Sequence, residues 1–449
     1  MFRCGCGRSF VSYAVLTQHR RDKQRNRTDT ACQSYSASKA SESTKISTTP
    51  LSTHRKRDRW MWRNIKTLVP FHVLAQRDIE PCLEAVSSNT TSTFVCSYSW
   101  QHSKKKAVRI PGIAPIWRNV SLPVIVPPDS ETLFTAQNMP PGPRFPFEPL
   151  FRAAEMMNQD INFMDVDIVT TRNSLRKLLA FCSGSRSTSF RVDLSMIHDT
   201  LFIERCEKSP RAIMGGAPAT GYGFSFEKVS TTLPQGGETC IQYHRALKYM
   251  LGELNCVVDF EIDAFYQGPD GEGEKKNNVI INDATFGELA SKTEELNIGS
   301  GTPRDGGIAG QLPIVEPEIE LMPQSAAAEI KTSLRKYGPH DSCLPQMWFG
   351  RTPWLIRARH TEGTFDGVII TKAGDKFTTW ENKHQVVLKK MVSLLSQLRE
   401  AVKTSGSKRC IAIYEKNGKS QDLNVFVSVR ERGALPGALI SKFWSSKGK

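Results

Sequence analysis

From about residue 60 onward the apolar positions follow two different periods, and the period changes along the chain. In 172–181 (RNSLRKLLAF), Leu175, Leu178, Leu179 and Phe181 fall on one helical stripe. Residues 384–402 predict a second, amphipathic helix through Val387, Met391, Leu394, Leu395, Leu398 and Val402. Ile241, Leu247, Met250, Leu251 and Leu254 are spaced to predict a third. Elsewhere the period is near two. Two short strands are expected in 190–204, around Met196-Ile197-His198. The stretch GYGFSFEKV at 221–229 alternates in the strand manner, with TTLPQGGE as the turn after it. The clearest strand is CVVDFEIDAFY at 256–266. Another is expected at 327–333, and 346–359 (QMWFGRTPWLIRAR) reads as a helix end, a turn at Pro353 and a strand. Strands at 409–415 and 423–429 close the series, and there is no internal repeat. Residues 106–148 are Pro-rich and irregular, with an extended piece at 122–126.

Two stretches follow neither period, and they divide the chain. Residues 33–59 are Ser/Thr-rich with few apolar positions, which predicts a disordered linker ending in a basic cluster. Residues 267–322 are Gly-rich and acidic and read as an inserted surface loop. The expected organisation is a small module at 1–32, the linker at 33–59, and one domain at 60–449 carrying the insertion. The fold class is α+β: strand and helix signals are mixed over a chain of 449 residues with 39% hydrophobic residues, enough for a large core.

Charge sharpens this division. Of the net +15, residues 1–120 carry 21 Lys/Arg against 7 Asp/Glu, whereas 268–322 carries 11 acidic and 4 basic residues. A basic front segment suits a polyanion, although a solvated basic tail has the same composition. No apolar run approaches the ~20 residues of a membrane helix, so no membrane partner is expected. The start, Met1-Phe2-Arg3-Cys4, is not followed by the apolar segment of a secretory signal. Eleven scattered cysteines suggest free thiols in a reducing compartment. Arg55-Lys56-Arg57, with Arg59, can serve nuclear import, so a nuclear location is expected, with the cytoplasm as a second.

Strand parity brings in chemistry. Side chains alternate across a strand, so Asp259, Glu261 and Asp263 share one face and Val258, Phe260, Ile262 and Ala264 the other. Three like charges along one face are unfavourable without a cation against them. In AAAEIKTS, Glu329 and Lys331 likewise share a face. Taken alone, either strand reads equally as an exposed edge strand with its charges in water. Together, a carboxylate strand and an E-x-K strand form the pattern of a metal-dependent nuclease. Glu261, Asp263 and Glu329 offer the hard oxygens that Mg²⁺ or Mn²⁺ requires. A lysine beside the metal orients water or neutralises charge developing on phosphate.

Further motifs stand in order around these. VTTRNSLRKLL places Arg172 at a helix start; Gly223-Phe224-Ser225-Phe226-Glu227 is Gly-Φ-x-Φ-Glu; Glu261-Ile262-Asp263 is Glu-Φ-Asp; Glu329-Ile330-Lys331 is Glu-Φ-Lys, continued by Thr332-Ser333. With these motifs the chain from about 95 to 430 resembles the decapping exoribonuclease (DXO) family, which includes the nuclear partner of the Rat-type five-prime exonuclease. The resemblance implies twisted mixed β-sheets flanked by helices, and one or two divalent ions (Mg or Mn) held by Glu227, Glu261, Asp263 and Glu329. It implies catalytic roles for Glu227, Asp263, Glu329 and Lys331, and an RNA-phosphate or cap contact for Arg172. Family members remove incomplete or nicotinamide-type RNA caps, hydrolyse five-prime pyrophosphate, and some degrade RNA from that end. The implied partners are RNA five-prime ends and a five-prime exonuclease protein. The chain departs from the family in the long gap between Asp263 and Glu329, and in the segment after the Glu-Φ-Lys strand. There the family has Trp-x-Gln, whereas Met347-Trp348-Phe349-Gly350-Arg351 sets Gly350 or Arg351 at the glutamine's place. Arg351 is thereby a candidate phosphate ligand or a mark of altered chemistry.

At the front, Phe2, Cys4, Cys6, Phe10, Leu16 and His19 have the spacing of a degenerate Cys₂His₂ finger, with Cys32 as a distant fourth ligand. Cys4, Cys6, His19 and Cys32 are candidate zinc ligands, and a remnant that binds no metal is the alternative. The leading expectation is a metal-dependent RNA five-prime-end decapping hydrolase. The alternatives are a catalytically weakened RNA-binding partner of an exonuclease and a DNA nuclease of the Asp…Glu-x-Lys type.

Overall fold

The computed structural model describes residues 58–101, 107–129, 145–158, 160–185, 188–207, 221–268, 321–334, 343–416 and 421–444, with the backbone of three further short strands. The candidate zinc ligands, the linker up to residue 57 and most of the 267–322 insertion lie outside the described residues.

The chain divides into two compact units, Met1–Arg57 and Asp58–Lys449. In the first, β1 (Phe2–Arg3) pairs antiparallel with β2 (Ser9–Phe10), with Phe2 opposite Phe10. The second holds, in chain order, β3 (His72–Ala75), β4 (Ser92–Gln101), β5 (Val108–Arg109), β6 (Ile116–Trp117), β7 (Val124–Ile125), α1 (Glu148–Met157), β8 (Ile168–Thr171) and α2 (Arg172–Cys182). There follow β9 (Phe190–Ile197), β10 (Thr200–Cys206), α3 (Gly223–Ser230), β11 (Thr231–Thr232), β12 (Cys240–Leu251), β13 (Leu254–Glu261) and β14 (Ala264–Phe265). The last are β15 (Ile314–Val315), β16 (Ala327–Leu334), α4 (Leu344–Gly350), β17 (Trp354–Thr361), β18 (Thr364–Lys372), α5 (Phe377–Thr404), β19 (Arg409–Tyr414), β20 (Asp422–Val427) and α6 (Gly437–Phe443).

These strands form two mixed sheets. The large one has the order β15-β5-β4-β12-β13-β8-β10-β9-β19-β20-β3, and the small one β11-β6-β14-β16-β17-β18-β7. One face of the large sheet packs on α2, α4 and α5 through residues such as Leu178, Trp348, Leu395 and Val258. The other packs on α1 and α6 through Phe151, Phe443, Phe202 and Val257. The fold is thus α+β, two twisted mixed sheets flanked by helices. Among the described residues no helix is long and apolar enough to cross a membrane.

Two expected elements change type. The stretch 221–229 is the helix α3, not a strand. Tyr222, Phe226 and Ser230 are four apart; the Phe226 amide donates to the Tyr222 carbonyl at 3.0 Å, and Phe226 is buried against Phe365 and Trp117. The start of the helix is held from far away: the Phe224 and Ser225 amides donate to the Asp129 carboxylate at 3.3 and 2.8 Å. The helix expected from Ile241 to Leu254 is instead the hairpin of β12 and β13. Tyr243, Arg245, Leu247, Tyr249 and Leu251 are all buried, a strict period of two that a buried arginine disguises. Leu251 pairs with Leu254 across a two-residue turn, and Gly252 takes its required φ of +60°.

What positions the site is the junction of the sheets. β13 ends at Glu261, Ile262 and Asp263 follow, and β14 enters the small sheet beside β16. β8 lies parallel to β13 with Thr171 opposite Asp259, so the chain leaves β8 directly into Arg172 at the start of α2. The Thr171 hydroxyl accepts from the Ser174 amide at 3.3 Å and caps that helix.

Candidate active site

Glu329 lies on β16, a central strand of the small sheet between β14 and β17, and is 1% exposed. That burial removes the edge-strand reading of AAAEIKTS. Ile330 points the other way, into the core of the small sheet with Ala328 and Ile356. Burial opposes the charge of Glu329, yet Lys331 and Arg172 outweigh it and hold its carboxyl below the usual range. Lys331 Nζ pairs with Oε1, and Arg172 Nη1 with Oε2 at 3.3 Å. The Arg172 guanidinium also lies 5.6 Å from the centre of the Phe260 ring.

Asp263 meets the same lysine, at 3.8 Å, and accepts from the Ile330 amide at 2.8 Å. Burial raises its carboxyl to about 7, with Glu329 and Glu261 adding repulsion and Lys331 opposing it. Glu227, from α3, is raised well above the usual range by burial and then by Asp263 and Glu261. Lys331 is raised despite burial, because Glu329 and Asp263 stabilise its charge. Glu227, Glu261, Asp263, Glu329, Lys331 and Arg172 therefore act on one another electrostatically, although they come from four separate stretches of chain.

Arg351 is not part of this group. Its backbone ends α4 in the left-handed region, at φ +48°, and the side chain folds back over Trp348 and Tyr249, 4.6 and 4.3 Å from their ring centres. It donates to the Trp348 carbonyl at 2.7 Å. Burial lowers its pKa. Its contacts are those of a packing residue, over Trp348 and Tyr249 and away from the carboxylates. An amide side chain does reach the group from α4, that of Gln346, two residues before Trp348. Gln346 Nε2 donates to Glu329 Oε1, and its own oxygen accepts from Arg176 at 3.0 Å. A helical position one turn earlier on α4 was the available signal.

Asp259 is buried rather than solvated. It accepts from the Tyr98 hydroxyl at 3.2 Å and lies 3.6 Å from His244, which stacks on Tyr98. Asp259, Tyr98 and His244 line a cavity of about 410 Å³ together with Glu204 and Arg430, and none of the four candidate metal carboxylates lines it.

The donor set Glu227, Glu261, Asp263 and Glu329 has the hard-oxygen chemistry of a divalent-cation site, and the burial and crowding that raise Glu227 and Asp263 are what such a cation relieves. As the side chains stand, no three carboxylate, histidine or cysteine groups among the described residues converge to metal-holding distance. Lys331 and Arg172 occupy the oxygens of Glu329 instead.

Comparison with solved structures gives the class of fold. Rai1 of Scheffersomyces stipitis, in complex with (3'-NADP)+ and calcium ion, is 11% identical with a TM-score of 0.50, covering 81% of this chain and 97% of that one. Rai1 of S. pombe in complex with 3'-FADP is 12% identical with a TM-score of 0.47, covering 79% and 98%. Dxo1 of K. lactis in complex with manganese is 10% identical with a TM-score of 0.47, covering 81% and 99%. At these identities the likeness concerns the fold, which is of the Rai1 type. No curated protein matches the chain. The sequence family described as "Domain of unknown function (DUF8563)" matches residues 70–444, and the chain belongs to that family.

Proposed function

We propose that the protein is a metal-dependent hydrolase of RNA five-prime ends, acting on incomplete or nicotinamide-type caps and on five-prime pyrophosphate. The observation that carries this reading is the gathering of four carboxylates, Lys331 and Arg172 at the junction of the two sheets. The fold shared with a protein solved with (3'-NADP)+ and calcium supports it. Glu227, Glu261, Asp263 and Glu329 would hold one or two divalent ions, which supply Lewis-acid activation of water and of phosphate oxygen. Lys331 faces developing phosphate charge, and Arg172 holds Glu329 in place from the other side. Gln346 keeps the Glu329 carboxylate oriented. The basic cluster at 55–59 supports a nuclear site of action.

The test is a panel of RNAs with capped, nicotinamide-capped, triphosphate and monophosphate ends, with Mn²⁺ present. Asp263→Ala and Glu261→Ala are expected to lose at least about 100-fold in turnover while keeping the wild-type melting behaviour. Wild-type protein that is inert on every end overturns the reading. That outcome would favour a non-catalytic RNA-binding partner of an exonuclease, which the occupation of Glu329 by two cations also supports. Faster cleavage of DNA than of RNA would favour a DNA nuclease.

A further inference from the structure

Strands β16 and β17 run parallel in register, with Ile330 opposite Ile356 and Lys331 opposite Arg357. Ile330 and Ile356 both enter the core of the small sheet, so Lys331 and Arg357 share its other face, the one that carries Glu329. Neighbouring strands are about 4.8 Å apart, which sets the arginine directly beside the lysine. Cys343, at the start of α4, lies within electrostatic reach of Glu329, Lys331 and Arg357.

The cations around the carboxylates differ in one respect. Lys331 is paired with Glu329 and Asp263, Arg172 with Glu329, and Arg176 with the Gln346 oxygen. Arg357 has two buried nitrogens, Nε and Nη1, without any hydrogen-bond partner, while the side chain as a whole keeps some exposure. A guanidinium cannot shed its charge, and buried donors left unpaired are unfavourable. Nε and Nη1 lie on different edges of the guanidinium, and each can donate a charge-assisted hydrogen bond to a phosphate oxygen.

We propose that Arg357 binds a second phosphate group, next to the one engaged at the carboxylates and Lys331, and so selects ends that carry two consecutive phosphates. This rests on reading the site as one that takes phosphate. The unpaired donors are then completed by substrate rather than by protein, and the neighbouring cations remain tied to their carboxylates.

The experiment measures binding by the full-length chain, with divalent ions chelated, of one oligoribonucleotide bearing either a five-prime triphosphate or a five-prime monophosphate. Wild type is expected to bind the triphosphate form about ten-fold tighter or more. Arg357→Gln and Arg357→Met should abolish that difference and leave monophosphate binding unchanged. Arg357→Lys should fall between, since it keeps the charge and loses the fixed guanidinium donors. Arg357→Met should melt no lower than wild type, because two unsatisfied donors are removed. Equal wild-type affinity for the two ends, or a wild-type ratio in Arg357→Gln, overturns the proposal; so does an Arg357→Met protein that melts lower and keeps the ratio. If the ratio depends on Arg357 but no end is hydrolysed with Mn²⁺, this proposal stands and the hydrolase reading falls. If ends are hydrolysed and the ratio ignores Arg357, the reverse holds.

Discussion

Glu329 keeps its charge in a nearly dry position because three side chains, Lys331, Arg172 and Gln346, reach its two oxygens. Removing that charge strands two cations. Glu329→Gln is therefore expected to lower stability by on the order of 3 kcal/mol in urea melts, in addition to abolishing turnover. Arg351 follows the opposite logic. Its guanidinium serves the packing of Trp348 and Tyr249, so Arg351→Met should cost about 1–3 kcal/mol and leave turnover per folded molecule within about two-fold. Glu204 provides a pH signature away from the candidate metal carboxylates. Burial, then Asp193, raises its carboxyl to about 7, against the opposing pull of Arg430, Arg432 and Arg191. Since the folded pKa lies above the unfolded one, its contribution is full below the ordinary value of 4.5 and is lost as pH rises through about 7. Denaturant melts at pH 5 and pH 8 should show that loss in wild type and a smaller one in Glu204→Gln.

Helix α3 carries Glu227, and its first turn is fastened by a carboxylate from 95 residues earlier in the chain. Asp129 holds the Phe224 and Ser225 amides rather than a candidate catalytic group, and its removal should still be felt there. Asp129→Ala is expected to cost about 1–2 kcal/mol and to lower kcat by releasing Glu227, with Asp129→Asn retaining more of both. A kcat equal to wild type in Asp129→Ala would mean that α3 is held by the burial of Phe226 alone. The same element marks the limit of what periodicity conveys. The helices expected at 172–181 and 384–402 were legible because their apolar stripes are local and continuous, as in Met391, Leu394, Leu395 and Leu398, although the second begins earlier, at Phe377. In α3 the cap is remote, and F-S-F mimics strand alternation. In β12 the buried Arg245, set among the Phe94, Tyr243 and Phe265 rings, breaks an otherwise regular apolar alternation. Glu261, Asp263, Glu329 and Lys331 stood out through strand parity, whereas Glu227 stood out only through the motif resemblance, on a stretch misread as a strand. Gln346 and Arg357 were not, because each joins the group through a neighbouring element rather than through spacing along its own.

The molecule as a whole is strongly asymmetric in charge, and under the proposed function that asymmetry would divide capture of RNA from its cleavage. The unit Met1–Arg57 holds twelve Lys/Arg and three Asp/Glu, a net of +9 within a total of +15. The unit Asp58–Lys449 contains both sheets, every described core cluster and the whole candidate site. Contacts made by a basic segment to phosphates release counterions, and each contributes about −0.7 to the slope of log affinity against log salt on single strands. If the front unit contributes three or four such contacts, deleting 1–57 should flatten that slope by roughly 2–3 and weaken binding most at low salt. Turnover at saturating RNA should change little, because Glu227, Asp263, Glu329 and Lys331 all remain with their partners. Affinity measured from about 50 to 200 mM salt, with and without residues 1–57, decides the matter. An unchanged slope would assign the polyanion contacts to the folded unit, where Lys331, Arg357 and Arg359 stand on adjoining strands as first candidates.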